Sequence, residues 1–281
     1  MHFVKMHGIG NDFVMVDALK GIPAHADALS RAICDRRKGI GSDGLIFILP
    51  GELGDFRMRM FNPDGSEAEM CGNGIRCFAK YVLERGLTRK EQLTVETLAG
   101  PIGLDVRRDT PGAGRVRAVR VDMGRPRLER ADIQMQGAPG RCVGEPIAVG
   151  GRTLRVTAVS MGNPHCVVFI DDVASFPVGE FGPLLEKHPA FPRQTNVEFV
   201  QVLGRGEVRQ RTWERGAGET HACGTGASAT GVAGVLNGLT DRAIVNHLVG
   251  GDLRIEWPRD EASVIMEGPA EEVFEGEWKG A

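Results

Sequence analysis

The sequence has no run of 18 or more apolar residues, no apolar core of signal-peptide length in its opening Met1-His2-Phe3-Val4-Lys5-Met6-His7-Gly8, and no Cys-x-x-Cys pair. These absences argue against a membrane-spanning helix, a secretory leader and a thioredoxin-like redox motif. The expectation is a cytoplasmic protein whose six cysteines, Cys34, Cys71, Cys77, Cys142, Cys166 and Cys223, are free thiols. There is no excess of basic residues either. The 34 Lys and Arg stand against 37 Asp and Glu, a formal charge of -3, which gives no electrostatic footprint for nucleic acid or an anionic membrane. With 25% charged and 42% apolar residues the chain is not of the disordered class, and 281 residues leave room for about two domains.

What is abundant is glycine, 39 of 281 residues, about twice the usual share. Many turns, or backbone held close to a ligand, should follow. Short β-rich runs dominate: 13–16, 45–49, 57–61, 93–96, 102–106, 116–121, 154–159, 166–170, 197–202 and 208–213. From Gly74 to Glu84 the apolar residues Ile75, Phe78, Ala79, Val82 and Leu83 recur at helical spacing, and Gly86 is placed as a stop, which predicts an amphipathic helix. A second helix is predicted from Thr225 to Leu236; it carries no charged residue, so it should be buried on all sides. The Gly- and Pro-rich stretch 137–151 reads as loop, and 124–133 as a connection between two units.

The most informative feature is an internal repeat. Cys71-Gly72-Asn73-Gly74 recurs as Cys223-Gly224-Thr225-Gly226, 152 residues on, and Glu67 recurs as Glu219 at the same offset. Gly10-Asn11 lands at that offset on Gly162-Asn163. Two separated motifs sharing one offset point to two similar halves, each with an Asn-bearing loop and a Cys opening a helix.

A Cys at a helix N-terminus sits where the dipole and unpaired N–H groups favour negative charge, so its thiolate becomes accessible. The glycines that follow let an anion such as a carboxylate approach the backbone. Two thiols on opposite faces of one carbon can invert it, one thiolate removing the proton while the opposing thiol delivers another. Cys34, Cys142, Cys166 and Cys77 lack such a setting and read as core residues. His165 and His221 have no metal-ligand spacing to the cysteines. A Cys–His hydrolase using His221 and Cys223 leaves the first motif unexplained, and the Gly-rich loops match neither nucleotide-binding pattern.

Gly8-Ile9-Gly10-Asn11-Asp12-Phe13, Phe61-Asn62-Pro63-Asp64-Gly65-Ser66 leading to Met70-Cys71-Gly72-Asn73-Gly74, Met161-Gly162-Asn163-Pro164-His165, Asn196-Val197, and Glu214-Arg215-Gly216-Ala217-Gly218-Glu219-Thr220 leading to Ala222-Cys223-Gly224-Thr225-Gly226 together resemble the diaminopimelate epimerase family. The resemblance runs almost from end to end. It implies an α+β fold of two pseudo-symmetric domains, each a mixed β-barrel around a central helix. These would be 1–124, with the tail 269–281 packing back on it, and 125–268. It implies a cofactor-independent isomerase, with neither pyridoxal nor metal, that interconverts LL- and meso-2,6-diaminopimelate in lysine and peptidoglycan precursor biosynthesis. The alternative is a racemase of the same fold acting on another amino acid. A homodimer is expected, with a small-molecule substrate and neither nucleic acid nor membrane as partner.

By the same resemblance Cys71 and Cys223 are the catalytic thiols, with His165 and Glu214 beside them helping to set their protonation. The backbone of Gly72, Asn73, Gly224 and Thr225 would hold the α-carboxylate. Asn11, Asn62, Asn163, Asn196, Glu214 and Arg215 complete the implied substrate site. One departure stands out. Some family members place a Gln after the Gly-Ile-Gly-x-Asp segment, whereas here Gly39-Ile40-Gly41-Ser42-Asp43 is followed by Gly44. The repeat offset makes Gly44 the counterpart of Asn196, and the missing side chain could be replaced by water or by a shift of Ser42.

Overall fold

The computed structural model describes residues 1–110 and 112–280, so Ala281 of the expected tail lies outside the described residues. The chain forms two compact units, Met1–Asp122 with Glu267–Ala281, and Met123–Met266. The breaks fall two residues before the expected ones. Main-chain bonds explain the first: Met123 N–H donates to Val264 O and Val264 N–H to Gly124 O, both at 2.9 Å, fastening Met123 and Gly124 inside the second unit.

The first unit runs β1 (His2–Gly8), β2 (Asn11–Asp17), α1 (Ala26–Cys34), β3 (Gly44–Pro50), β4 (Phe56–Phe61), β5 (Glu67–Ala68), α2 (Gly72–Glu84), β6 (Gln92–Thr97), β7 (Gly100–Thr110) and β8 (Ala113–Asp122). The second runs α3 (Arg130–Ile133), β9 (Glu145–Val149), β10 (Arg152–Ser160), β11 (Pro164–Phe169), α4 (Val178–Glu186), β12 (Asn196–Gly204), β13 (Glu207–Glu214), β14 (Gly218–Thr220), α5 (Gly224–Leu236), β15 (Ala243–Leu248) and β16 (Gly251–Glu256). Strand β17 (Ile265–Gly268) carries the chain back to the first unit, where β18 (Glu271–Glu277) pairs antiparallel with β1.

The two units share one topology. In each, the sheet is mixed: β2–β3 and β4–β6 are parallel in the first, β11–β12 and β13–β15 in the second. The offset of 152 holds in the strand register itself. Phe13 pairs with Gly44 as His165 does with Asn196, Leu45 with Phe61 as Val197 does with Trp213, and Phe61 with Glu67 as Trp213 does with Glu219. The ion pair Arg59–Glu67, at 2.6 Å, recurs as Arg211–Glu219 at 2.7 Å. Helices α1 and α4 obey the same offset from first residue to last.

Each sheet is buried on both faces, which is why its central strands read as continuous apolar runs. One face of the first sheet carries Val14, Leu45, Phe47 and Phe61 in a cluster that includes Ile33 of α1. The equivalent cluster of the second unit joins Val168, Val197 and Phe199 to Phe181 and Leu185 of α4. Helices α2 and α5 pack on strands of their own unit, α2 on β1, β2 and β8 and α5 on β10, β11 and β12. Helix α5 is almost wholly buried, as its lack of charge predicts.

Helix α2 differs from the amphipathic reading, because Gly72–Leu83 is buried throughout, Arg76 and Lys80 included. Those cations are held internally: Arg76 donates to Gly72 O at 3.1 Å and Pro269 O at 3.1 Å, and Lys80 to Glu84 at 2.8 Å and Val116 O at 3.2 Å. The stretch 137–151 is also more than loop, since it contains β9, whose pairing with β10 supplies the order its composition lacks.

Candidate active site

Each central helix opens on a cysteine. Cys71 and Cys223 both have extended backbone (φ -137°, ψ 116° and φ -128°, ψ 109°), and each sulfur accepts the N–H two residues into its helix, from Gly74 and Gly226, at 3.4 Å. A cysteine thus occupies the capping position usually taken by Ser, Thr, Asp or Asn. The N–H groups between cap and glycine, of Gly72 and Asn73 and of Gly224 and Thr225, belong to the first turn, where no intrahelical acceptor exists.

In the first unit, Asn11 links the β1–β2 turn to this helix start. Its Oδ1 accepts from Cys71 Sγ at 3.7 Å and from Asn73 Nδ2 at 3.2 Å, while its Nδ2 donates to Asp43 Oδ2 at 2.7 Å. Because a carboxylate only accepts and a guanidinium only donates, the ends of this chain set both amides: Arg76 Nη1 donates to Asn73 Oδ1 at 3.0 Å, and Arg36 binds Asp43 and Asp12, both at 2.7 Å. Lys5 closes the network on Asp12 at 2.7 Å and on Gly41 O. Asp12, Asp43, Arg36 and Lys5 were not legible as site residues, although the charged run Asp12…Arg36…Asp43 flanks the glycine motifs.

Asn62 lies apart from that chain, in the turn after β4, donating to Ser66 Oγ at 3.0 Å. At Gly44 a Cβ would meet Met60 Cε at 2.9 Å and Phe61 O at 3.2 Å, so the strand itself calls for glycine here. Ser42 does not replace the missing side chain: it is buried, with its hydroxyl on Cys34 Sγ at 3.2 Å and Gly44 O at 3.1 Å.

The second unit places Asn163, His165, Glu214, Cys223, Gly224 and Thr225 together. His165 Nδ1 meets Glu198 Oε1 at 2.8 Å, both side chains being 0% exposed. His165 Nε2 meets Asn163 Oδ1 at 3.0 Å, Asn163 Nδ2 meets Thr225 Oγ1 at 3.4 Å, and Thr225 Oγ1 meets Cys223 Sγ at 3.4 Å. Glu214 accepts from Thr220 Oγ1 at 2.5 Å. Burial pushes the Glu214 carboxyl up, and the Thr220 hydroxyl pulls against it. Burial also pushes the Cys223 thiol well above the ordinary range, and the charges of Glu214 and Glu198 add to that.

Asn196 and Arg215 lie side by side. Asn196 donates to Pro164 O at 2.9 Å and accepts the Arg215 N–H at 3.0 Å, while Arg215 Nη1 reaches Arg193 O at 3.2 Å. Glu186 was missed: it accepts from Trp213 Nε1 at 2.8 Å and Gly216 N at 3.0 Å, fixing the turn that carries Arg215. The remaining cysteines are core. Burial pushes Cys77 up to about 12 and raises Cys142 and Cys166 as well, and all six are free thiols.

The fold places the chain among two-unit α+β proteins. Solved structures with a similar fold include a phenazine biosynthesis protein of the PhzF family from Bacillus anthracis (TM-score 0.72, 18% identity, 98% of each chain covered). A hydroxyproline epimerase from Agrobacterium vitis is similar as well (TM-score 0.71, 17% identity, 98% of this chain and 91% of that one). At sequence level the match is far closer. The profile of diaminopimelate epimerase fits residues 3–129 and 157–273, and the chain belongs to that family. Diaminopimelate epimerases of Pelotomaculum thermopropionicum and Moorella thermoacetica are each 58% identical to it, with 99% of both chains covered. That of Methanococcus maripaludis is 48% identical, again over 99% of both chains.

Proposed function

We propose that the chain interconverts LL- and meso-2,6-diaminopimelate by moving protons at one α-carbon between Cys71 and Cys223. The observation that carries this reading is the recurrence of the cysteine-capped helix at the same register in both units, each sulfur on the Gly N–H at 3.4 Å. In the reaction the thiolate of one cysteine takes the α-proton and the thiol of the other protonates the opposite face. One C–H bond breaks, one forms, and the two cysteines exchange protonation states. The N–H groups of Gly72, Asn73, Gly224 and Thr225 bind the α-carboxylate and stabilise the charge that spreads onto it as the carbon becomes carbanionic. Asn11, Asn62, Asn163, Asn196, Glu214 and Arg215 bind the rest of the substrate, Arg215 supplying the cation that a second carboxylate requires. His165 and Glu214 adjust Cys223.

Two reduced thiols suit a reducing cytoplasm, and the family resemblance supports a homodimer serving lysine and peptidoglycan precursor synthesis. The test is to incubate the protein with LL-diaminopimelate in D2O, without added cofactor. The meso isomer should form with solvent deuterium at one α-carbon, and an absence of both inversion and exchange would rule the reading out.

A further inference from the structure

Glu198 has no role in the chemistry above, yet it is a fully buried carboxylate in the middle of an apolar strand. Its Oε1 is 2.8 Å from His165 Nδ1, and its Oε2 has no hydrogen-bond partner among the described residues. The equivalent positions in the first unit, by the offset that governs the strand register, are Phe13 for His165 and Ile46 for Glu198, both fully buried. Helix packing is equivalent too: a Cβ on Gly74 would meet Ile46 Cδ1 at 2.8 Å, and one on Gly226 would meet Glu198 Oε1 at 2.5 Å. The fold is therefore built without this histidine–carboxylate pair in one unit and with it in the other. Burying two ionisable groups is often no better for stability than an apolar pair of similar volume, so the pair needs another reason to be present.

Hydrogen-bond polarity supplies one. A carboxylate only accepts, so His165 Nδ1 facing Glu198 carries hydrogen. With Nε2 against Asn163 Oδ1 at 3.0 Å, that nitrogen donates as well. The Asn163 amide then donates to Thr225 Oγ1 at 3.4 Å, leaving the Thr225 hydroxyl hydrogen for Cys223 Sγ at 3.4 Å. Beyond His165 every link donates toward the sulfur, while Nδ1–H anchors the ring on Glu198. If His165 lost its second hydrogen, Nε2 would accept, the amide would turn over, the Thr225 hydroxyl would point to Asn163, and the sulfur would have to donate.

We propose that Glu198 is a positioning residue for epimerisation: by holding both hydrogens on His165 it directs the Asn163–Thr225 chain to donate to the Cys223 sulfur, so that this cysteine can serve as a base. The proposal rests on the reading of Cys223 as a proton carrier. It addresses a problem the site poses: burial, Glu214 on β13 and Glu198 on β12 all oppose a thiolate at Cys223. The Thr225 hydroxyl and the Gly226 N–H, both from its own helix, work in the other direction.

The sign of one substitution decides. Glu198→Gln removes a negative charge beside Cys223, and charge alone would lower the pH midpoint of the thiol. The relay predicts the reverse, because His165 loses its second hydrogen along with the carboxylate, the net charge of the pair stays the same, and the donor to sulfur is lost. Iodoacetamide labelling of the folded protein across pH, with the Cys223 peptide quantified by mass, should show the midpoint raised by about one unit, a roughly tenfold lower thiolate fraction below it. Nitrogen-15 spectra should show both His165 nitrogens protonated at neutral pH in the natural protein and one in the variant. If Glu198→Gln does not fold, His165→Phe with Glu198→Ile installs the apolar pair of the first unit and should give the same upward shift. An unchanged or lowered midpoint, or a single hydrogen on His165 in the natural protein, overturns the proposal. Labelling needs no substrate, so its outcome is independent of the deuterium test of the reaction itself.

Discussion

Replacing Gly226 by alanine is the sharpest structural perturbation of the second half-site. In an ordinary helix the change gains up to about 1 kcal/mol of propensity. Here the new methyl would lie 2.5 Å from Glu198 Oε1, 3.2 Å from its Cδ and 3.3 Å from Cys223 Sγ. Glu198 has no room to withdraw, being fully buried and held on His165 at 2.8 Å. Overpacking costs about 1–3 kcal/mol, and prising apart a buried ion pair about 3–5 kcal/mol when it is complete. With the pair partly displaced and the propensity gain subtracted, the net loss is about 2–4 kcal/mol. Gly74→Ala is the internal control. Its methyl meets Ile46 Cδ1 at 2.8 Å, the end of a side chain that can rotate, and its next neighbours, Cys71 Cβ and Phe13 Cζ, are at an ordinary 3.5 Å. That cost is about 0–2 kcal/mol after the same offset. Scanning calorimetry should show Gly226→Ala lowering its transition by about 4–8 °C and Gly74→Ala by at most half as much. Equal shifts, or a stabilised Gly226→Ala, would refute the reasoning.

Two further outcomes concern the first unit. Burial opposes ionisation of Asp12, but hydrogen bonds from Arg36 and Lys5 prevail and hold its carboxyl far below the ordinary 3.8. A depressed folded-state value means stability that is present above the unfolded value and lost as pH falls through the acid range. Asp12→Asn should therefore cost about 1 kcal/mol at neutral pH, allowing for solvent screening, and flatten the decline of stability below pH about 4; parallel urea midpoints for variant and natural protein from pH 6 to 3 would count against it. At Gly44, where a Cβ would press on Met60 Cε at 2.9 Å and Phe61 O at 3.2 Å, alanine should cost about 1–2 kcal/mol in urea unfolding. A neutral substitution would show that the strand tolerates a side chain there.

The repeat made much of this legible. The offset read from Cys71 and Cys223 extends through the strand register to the ion pairs Arg59–Glu67 and Arg211–Glu219. Nine of the ten runs lie wholly within strands and the tenth, 166–170, passes the end of β11 by one residue; the continuously apolar ones reflect sheets covered on both faces. Helices α1 and α4 escaped notice for local reasons. The residue before α1, His25, has a left-handed backbone and gives no capping bond, and α4 contains Pro183 along with Gly179 and Gly182. Tertiary burial of Phe181 and Leu185 outweighs that poor propensity. Strand β18, Glu-Glu-Val-Phe-Glu-Gly-Glu, is mostly exposed and owes its order to pairing with β1. Glu198 had a signal of its own, a charged residue inside the run 197–202 where its counterpart is Ile46. Only the contact with His165 gives that charge a meaning.

The central claim is that each cysteine transfers the proton on one face of the α-carbon. It is tested most directly by assaying Cys71→Ser and Cys223→Ser in both directions, LL to meso and meso to LL, with substrate binding measured in parallel by calorimetry. Both variants should bind substrate yet lose at least about 100-fold in both directions. A single variant that inverts substrate in both directions at the natural rate would contradict the account.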